Sequence, residues 1–201
     1  MRSARLLGAM AVLLGVSGNF VHATGTNGTG ATGTSDTPGV SGANTLSATL
    51  SGFNEVPLTI LSPGNGNAQL NIDRAGGSIS YTLTYADVTS PVTQAHIHFG
   101  KVHTAGGIVA FLCSNASSPP AGTPACPESG GTVTGTITSG QVVAQETQNV
   151  PANDFRALVQ AIDSGTAYVN VHTTRFPAGE LRGQLSPGDD NGSGSGIQNG
   201  R

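Results

Sequence analysis

Alternation is the feature that most limits how this chain can fold. In Ile79-Ser-Tyr-Thr-Leu-Thr-Tyr85 every second residue is apolar, and Leu46-Ser-Ala-Thr-Leu50 and Ala68-Gln-Leu-Asn-Ile72 repeat the pattern. A period of two places the apolar side chains on one face of an extended strand, so each run has to cover a core with that face. Gly, Asn or Pro bounds each run, as expected of strand ends. The same reasoning predicts strands over Val92 to Phe99, Ile108 to Leu112, Thr132 to Ile137, Ala167 to His172 and Glu180 to Leu185. Asp73-Arg-Ala-Gly-Gly77 reads as a hairpin turn between two of them. Short, regularly spaced strands with turn signals predict an all-β fold, a Greek-key β-sandwich or small barrel.

One segment follows a different period. In Pro151-Ala-Asn-Asp-Phe155-Arg-Ala-Leu158-Val159-Gln-Ala-Ile162, Phe155, Leu158, Val159 and Ile162 fall on one helical face, and Asp163-Ser-Gly165 supplies a stop. A single amphipathic helix between two strands is expected there.

The two ends have other compositions. Arg2 and Arg5 precede an apolar stretch from Leu6 to Val16, and Val21-His22-Ala23 gives a small-x-small cleavage site before Thr24. Residues 1–23 therefore read as an export signal, too short and too glycine-broken to span a bilayer. Residues 24–43 are almost wholly Gly, Thr, Ser, Ala and Asn, and residues 186–201 are rich in Gly, Ser and Asp. Such segments bury too little apolar surface to offset backbone ordering, so both are expected to be disordered tails around one β-domain at 44–185. The expected location is the periplasm or the extracellular space. Cys113 and Cys126 are the only cysteines, and in an oxidising compartment they are expected to form a disulfide that pins the loop between them.

Charge narrows the partners. Without residues 1–23 the chain keeps six Lys and Arg against eleven Asp and Glu, which takes the formal charge from −3 to −5. With one lysine and no basic run, nucleic acid is excluded as a partner, and no second segment is apolar enough to span a membrane. No Gly-x-Ser-x-Gly or phosphate-cradling glycine loop is present, so serine hydrolase and nucleotide-binding chemistry find no support.

The histidines carry the remaining chemistry. His96 and His98 lie two apart on one predicted strand and share a face, while Ile97 and Phe99 take the other. His172 shares its face with Tyr168 and Asn170, opposite Val169 and Val171. If the aliphatic residues face the core, all three imidazoles lie on the outer, wetter side. Imidazole donors without neighbouring carboxylates suit copper or zinc rather than calcium or magnesium. The candidate metal ligands are thus His96, His98 and His172, with His103 open as a cap, a supporting residue or a bystander. Glu180 and Arg182, two apart on the last strand, could pair, orient His172 or face solvent. Glu55 reads as a turn or cap carboxylate.

Three sets of residues carry a family resemblance. Leu50-Ser-Gly-Phe-Asn-Glu55-Val-Pro57, Ala95-His-Ile-His98 with Gly100, and Tyr168-Val-Asn-Val-His172-Thr173 followed by Phe176-Pro-Ala-Gly-Glu180-Leu-Arg-Gly183 resemble the CHRD domain family, named after chordin and common in exported bacterial proteins. The resemblance implies an immunoglobulin-like β-barrel and leaves the activity open. A fainter resemblance runs to Cu/Zn superoxide dismutase, which presents copper from a His-x-His strand and a later valine-flanked histidine. It implies His96, His98 and His172 as copper ligands and Arg182 as an anion-guiding group. No second set of histidines with an aspartate remains for zinc, so it implies a mononuclear site. The expected functions are then an exported copper-binding protein, a non-catalytic extracellular module with a protein or polysaccharide partner, or a superoxide dismutase-like redox enzyme.

Overall fold

The computed structural model describes residues 44–188; the expected export signal, the N-terminal linker and residues 189–201 of the C-terminal tail lie outside the described residues. Nine strands and one helix follow in order: β1 (Thr45–Ser51), β2 (Asn65–Asp73), β3 (Ser78–Ala86), β4 (Val92–Phe99), β5 (Gly107–Ser114), β6 (Gly131–Ile137), α1 (Phe155–Asp163), β7 (Ala167–Thr173), β8 (Leu181–Gln184) and β9 (Ser186–Pro187). Every pairing is antiparallel, in the order β5-β4-β7-β8-β1-β2-β3-β6, with β9 joined to β1. The bridge between Ala110 and Val142 links β5 to the chain just beyond β6, so the sheet curls into a nearly closed barrel.

The strands form where alternation predicts them because the apolar set has one interior to fill. Leu46, Leu50, Leu70, Ile79, Leu83, Ile97, Val169, Val171 and Leu181 belong to one buried cluster. Burying such side chains stabilises by about 1.5–3 kcal/mol each. At the β2–β3 hairpin Asp73 pairs with Ser78, and the Asp73 Oδ1 accepts from the Gly76 N–H at 2.8 Å. Gly77 takes the left-handed conformation there, φ 67°, which is why a glycine closes the turn.

The helix begins at Phe155, the first residue of its apolar face, and not at the segment's start, Pro151. Asp154 is the N-cap, its carboxylate accepting from the Ala157 N–H at 2.9 Å, so residues 151–153 form a lead-in turn. Leu158, Val159 and Ile162 face the barrel. Arg74 binds Asp163 at 2.9 Å and ties the β2–β3 turn to the helix end.

The sheet also runs past Leu185. Ser186 and Pro187 pair with Ser47 and Leu46, so the C-terminal tail expected to start at Ser186 starts too early in that reading. Cys113 and Cys126 are disulfide-bonded, with Cα atoms 5.0 Å apart. No helix among the described residues is long and apolar enough to cross a membrane.

Candidate metal centre

Strand pairing alone brings the three histidines together. In the β4–β7 ladder Gln94 faces His172, His96 faces Asn170, and His98 faces Tyr168; in the next ladder Asn170 faces Arg182 and Tyr168 faces Gln184. Side chains two residues apart on neighbouring strands share one face, so His96, His98 and His172 form a triangle beside Asn170 and Tyr168. On the other side of β4 the register with β5 slips on both sides of His96 and Ile97. Such bulges bend a strand and re-aim its side chains.

The triangle is tight. Ring centroids lie 4.9 Å apart for His96 and His172, 5.5 Å for His96 and His98, and 5.8 Å for His98 and His172. One ring nitrogen from each lies within 4.8 Å of the others. Three points so spaced all lie within about 2.8 Å of a common centre. Metal–imidazole bonds run about 2.0–2.1 Å, so small side-chain rotations close the set around one ion.

Two backbone carbonyls choose the tautomers. The Gly106 carbonyl lies 2.9 Å from Nδ1 of His98, and the Pro177 carbonyl 3.0 Å from Nδ1 of His172. A carbonyl only accepts, so in both rings Nδ1 carries the proton and Nε2 presents its lone pair. Both Nε2 atoms are buried without a hydrogen-bond partner among the described residues, as are both nitrogens of His96. A polar atom so placed costs free energy unless something binds it.

The expectation of an outer, wetter face fails here. The three imidazoles do lie opposite the core aliphatics, but they are 0 % (His96), 7 % (His98) and 6 % (His172) exposed. The covering chain supplies the reason. Loop residues 100–106 lay the Gly106 carbonyl on His98, residues 174–179 lay the Pro177 carbonyl on His172, and Phe111 of β5 meets His96 edge-on at 4.4 Å. Burial, reinforced by the charges of His172 and His98, lowers the His96 pKa to about 2. Burial lowers His98 to about 4 against the Gly106 hydrogen bond, and lowers His172 as well. All three rings are neutral at neutral pH, the form in which imidazole can donate to a metal.

The remaining predicted residues separate into support and bystander. His103 is exposed at the loop tip with φ 62° and lies outside the triangle. Arg182 is 3 % exposed and acts as an internal clamp rather than an accessible anion guide. Its Nη2 donates to the carbonyls of Lys101 (3.1 Å) and Thr104 (2.9 Å), and its guanidinium lies 3.5 Å from the centre of the Tyr168 ring. Tyr168 stacks on His98 at 4.8 Å with 6° between planes, and its hydroxyl accepts from the Gly106 N–H. Glu180 does not pair with Arg182. Its carboxylate accepts from the Ser62, Thr89 and Thr173 hydroxyls and the Thr89 N–H, at 2.7–3.0 Å. Burial pushes that carboxyl up, but these hydrogen bonds outweigh it and hold it below the ordinary range.

Glu55 has more than a turn role. Its N–H caps the 3-10 turn Gly52–Asn54, and its carboxylate accepts from Asn170 Nδ2 at 2.5 Å. Burial raises it to about 7, against the hydrogen bonds of Asn170 and Val56 and the Arg182 charge. Asn170 was readable as a neighbour of the site because it alternates with His172; the closure of Glu55 and Phe111 around it leaves no periodic signal.

A family model of the CHRD domain matches residues 46–185. The chain belongs to the CHRD domain family. No curated protein and no solved structure matches it. The match spans β1 to β8, so the histidine triangle, its two carbonyl props and the Arg182–Tyr168 stack all lie within the CHRD domain.

Proposed function

We propose that this CHRD domain works outside the cytoplasm as a copper-type metal-binding protein, with His96, His98 and His172 as the ligands. One observation carries the reading: three buried imidazole nitrogens lie within 4.8 Å of one another, and carbonyls on Nδ1 of His98 and His172 turn Nε2 inward. Metal-bound histidines commonly give their second N–H to such an acceptor, which fixes the ring and raises its basicity. The all-nitrogen donor set suits copper or zinc, and the Cys113–Cys126 disulfide suits an oxidising compartment. Bound metal would hold side chains of two strands, β4 and β7, together and leave a position for a further ligand.

Metal analysis of exported, purified protein tests this, beside a His96→Ala/His98→Ala variant. The expected result is about one ion per chain in the wild type and none in the variant; equal, negligible metal in both refutes the proposal. A second reading, a non-catalytic interaction module, is favoured by Phe53, Leu58 and Leu61, which are 62 %, 73 % and 86 % exposed on one segment. It predicts a protein or polysaccharide partner whose binding is lost in Leu58→Ser/Leu61→Ser and is indifferent to metal. Dismutation of superoxide that vanishes with His172→Ala would favour the redox-enzyme reading instead.

A further inference from the structure

The chemistry of the triangle also bears on the charge of the ion it holds. Resting on the copper reading, we infer that the site is built for the monovalent ion: it holds Cu(I) in preference to Cu(II) or Zn(II). The donors are three neutral imidazoles, and none brings negative charge. His98 and His172 cannot readily supply it by losing Nδ1–H, because both protons are held by backbone carbonyls. An ion there is therefore compensated only by dipoles, inside a box where the three rings are at most 7 % exposed.

Charge decides which ion tolerates that box. The self-energy of an ion moved out of water grows as the square of its charge, so a divalent ion costs roughly four times what a monovalent ion of equal size does. The fixed charge stacked nearest His98 points the same way. Arg182 lies over Tyr168, and Tyr168 lies flat on His98, so a permanent cation backs one ligand across one ring. Its like charge repels the second positive charge of a divalent ion.

The neighbouring carboxyls do not reverse the balance. Glu180 aims its carboxylate at Ser62, Thr89 and Thr173, and four hydrogen bonds occupy it. Glu55 is bound to Asn170 on the Arg182 side, and burial favours its neutral form. Coordination number agrees. Zinc takes four ligands in closed protein sites, whereas Cu(I) is satisfied by fewer, and among the described residues this cluster has three members. Imidazole is not the softest donor for Cu(I); the absence of ligand charge in a buried pocket outweighs softness.

The test is competition of the whole exported protein against chromophoric chelators, with Cu(I) under a reductant, and with Cu(II) and Zn(II) in air. The expected result is Cu(I) bound at least about 100-fold more tightly than either divalent ion. Arg182→Met is expected to narrow that ratio by about tenfold through a gain in divalent affinity. Cu(II) or Zn(II) binding as tightly as Cu(I), and dependent on His96 and His98, overturns this inference and leaves the metal-binding proposal standing. No copper or zinc bound in any form overturns both. Should Arg182→Met fail to fold, the wild-type ratio alone decides.

Discussion

The two halves of the barrel use the same strand chemistry to different ends. Along β3, residues alternate without exception between buried Ile79, Tyr81, Leu83, Tyr85 and exposed or half-exposed Ser78, Ser80, Thr82, Thr84, Ala86. Along β7 every residue from Ala167 to Thr173 is buried. Both strands present aliphatic or aromatic side chains to the same interior. They differ in what lies outside: solvent over β3, and over β7 the loops 100–106 and 174–179 with the segment at Asn54 and Glu55. A polar face that stays wet needs no partners. One that is covered has to satisfy its polar atoms, and on this face those left without a partner among the described residues are the histidine nitrogens and Gln184 Oε1.

Substitutions can break this comparison. The largest effect is expected inside, where both halves are alike. Leu83→Ala should cost about 2–5 kcal/mol in denaturant melts, whereas its wet neighbour Thr82→Ala should stay within about 0.5 kcal/mol. A comparable cost at Thr82 would mean that the outer face of β3 is not free.

Next comes the covered face and its pH response. The folded Glu55 carboxyl titrates near 7 against 4.5 for an ordinary one, so the folded state favours the protonated form. Stability from this group is complete below pH 4.5 and is lost as pH rises to 7, a change on the order of 3 kcal/mol. Glu55→Gln should remove that slope in melts run from pH 4.5 to 8, and should be the more stable protein at pH 8. An unchanged slope would show that Glu55 is not the source. Glu180→Gln should have a smaller effect. It turns an amide N–H toward donors that now bond a carboxylate, at about 2 kcal/mol. The loss should shrink as acid protonates the wild-type Glu180, whose pKa is depressed. A substitution as neutral as Thr82→Ala would remove the distinction between the two faces at this point.

The same contrast explains what could be read from the residues. The strands were legible because period-two alternation is a local signal, and the inner face of every predicted strand lies in the core. The grouping of His96, His98 and His172 was legible too, since a shared strand face needs only the spacing and the pairing of β4 with β7. Burial of that outer face was not. It depends on loops such as Gly100 to Gly106, which carry no periodicity and are fixed by distant partners, Arg182 and Gln184 among them. For the same reason Glu55 resembled a simple cap, and Arg182 resembled an open cation. The helix starts at Phe155, the first residue of its apolar face, rather than at Pro151, because the Asp154 cap sets it there.

X-ray absorption at the copper edge of the loaded protein tests the central claim most directly. The account predicts a shell of three imidazole nitrogens near about 2.0 Å, reduced by one in a folded His172→Gln variant. A shell dominated by oxygen, or one that His172→Gln leaves unchanged, would contradict it.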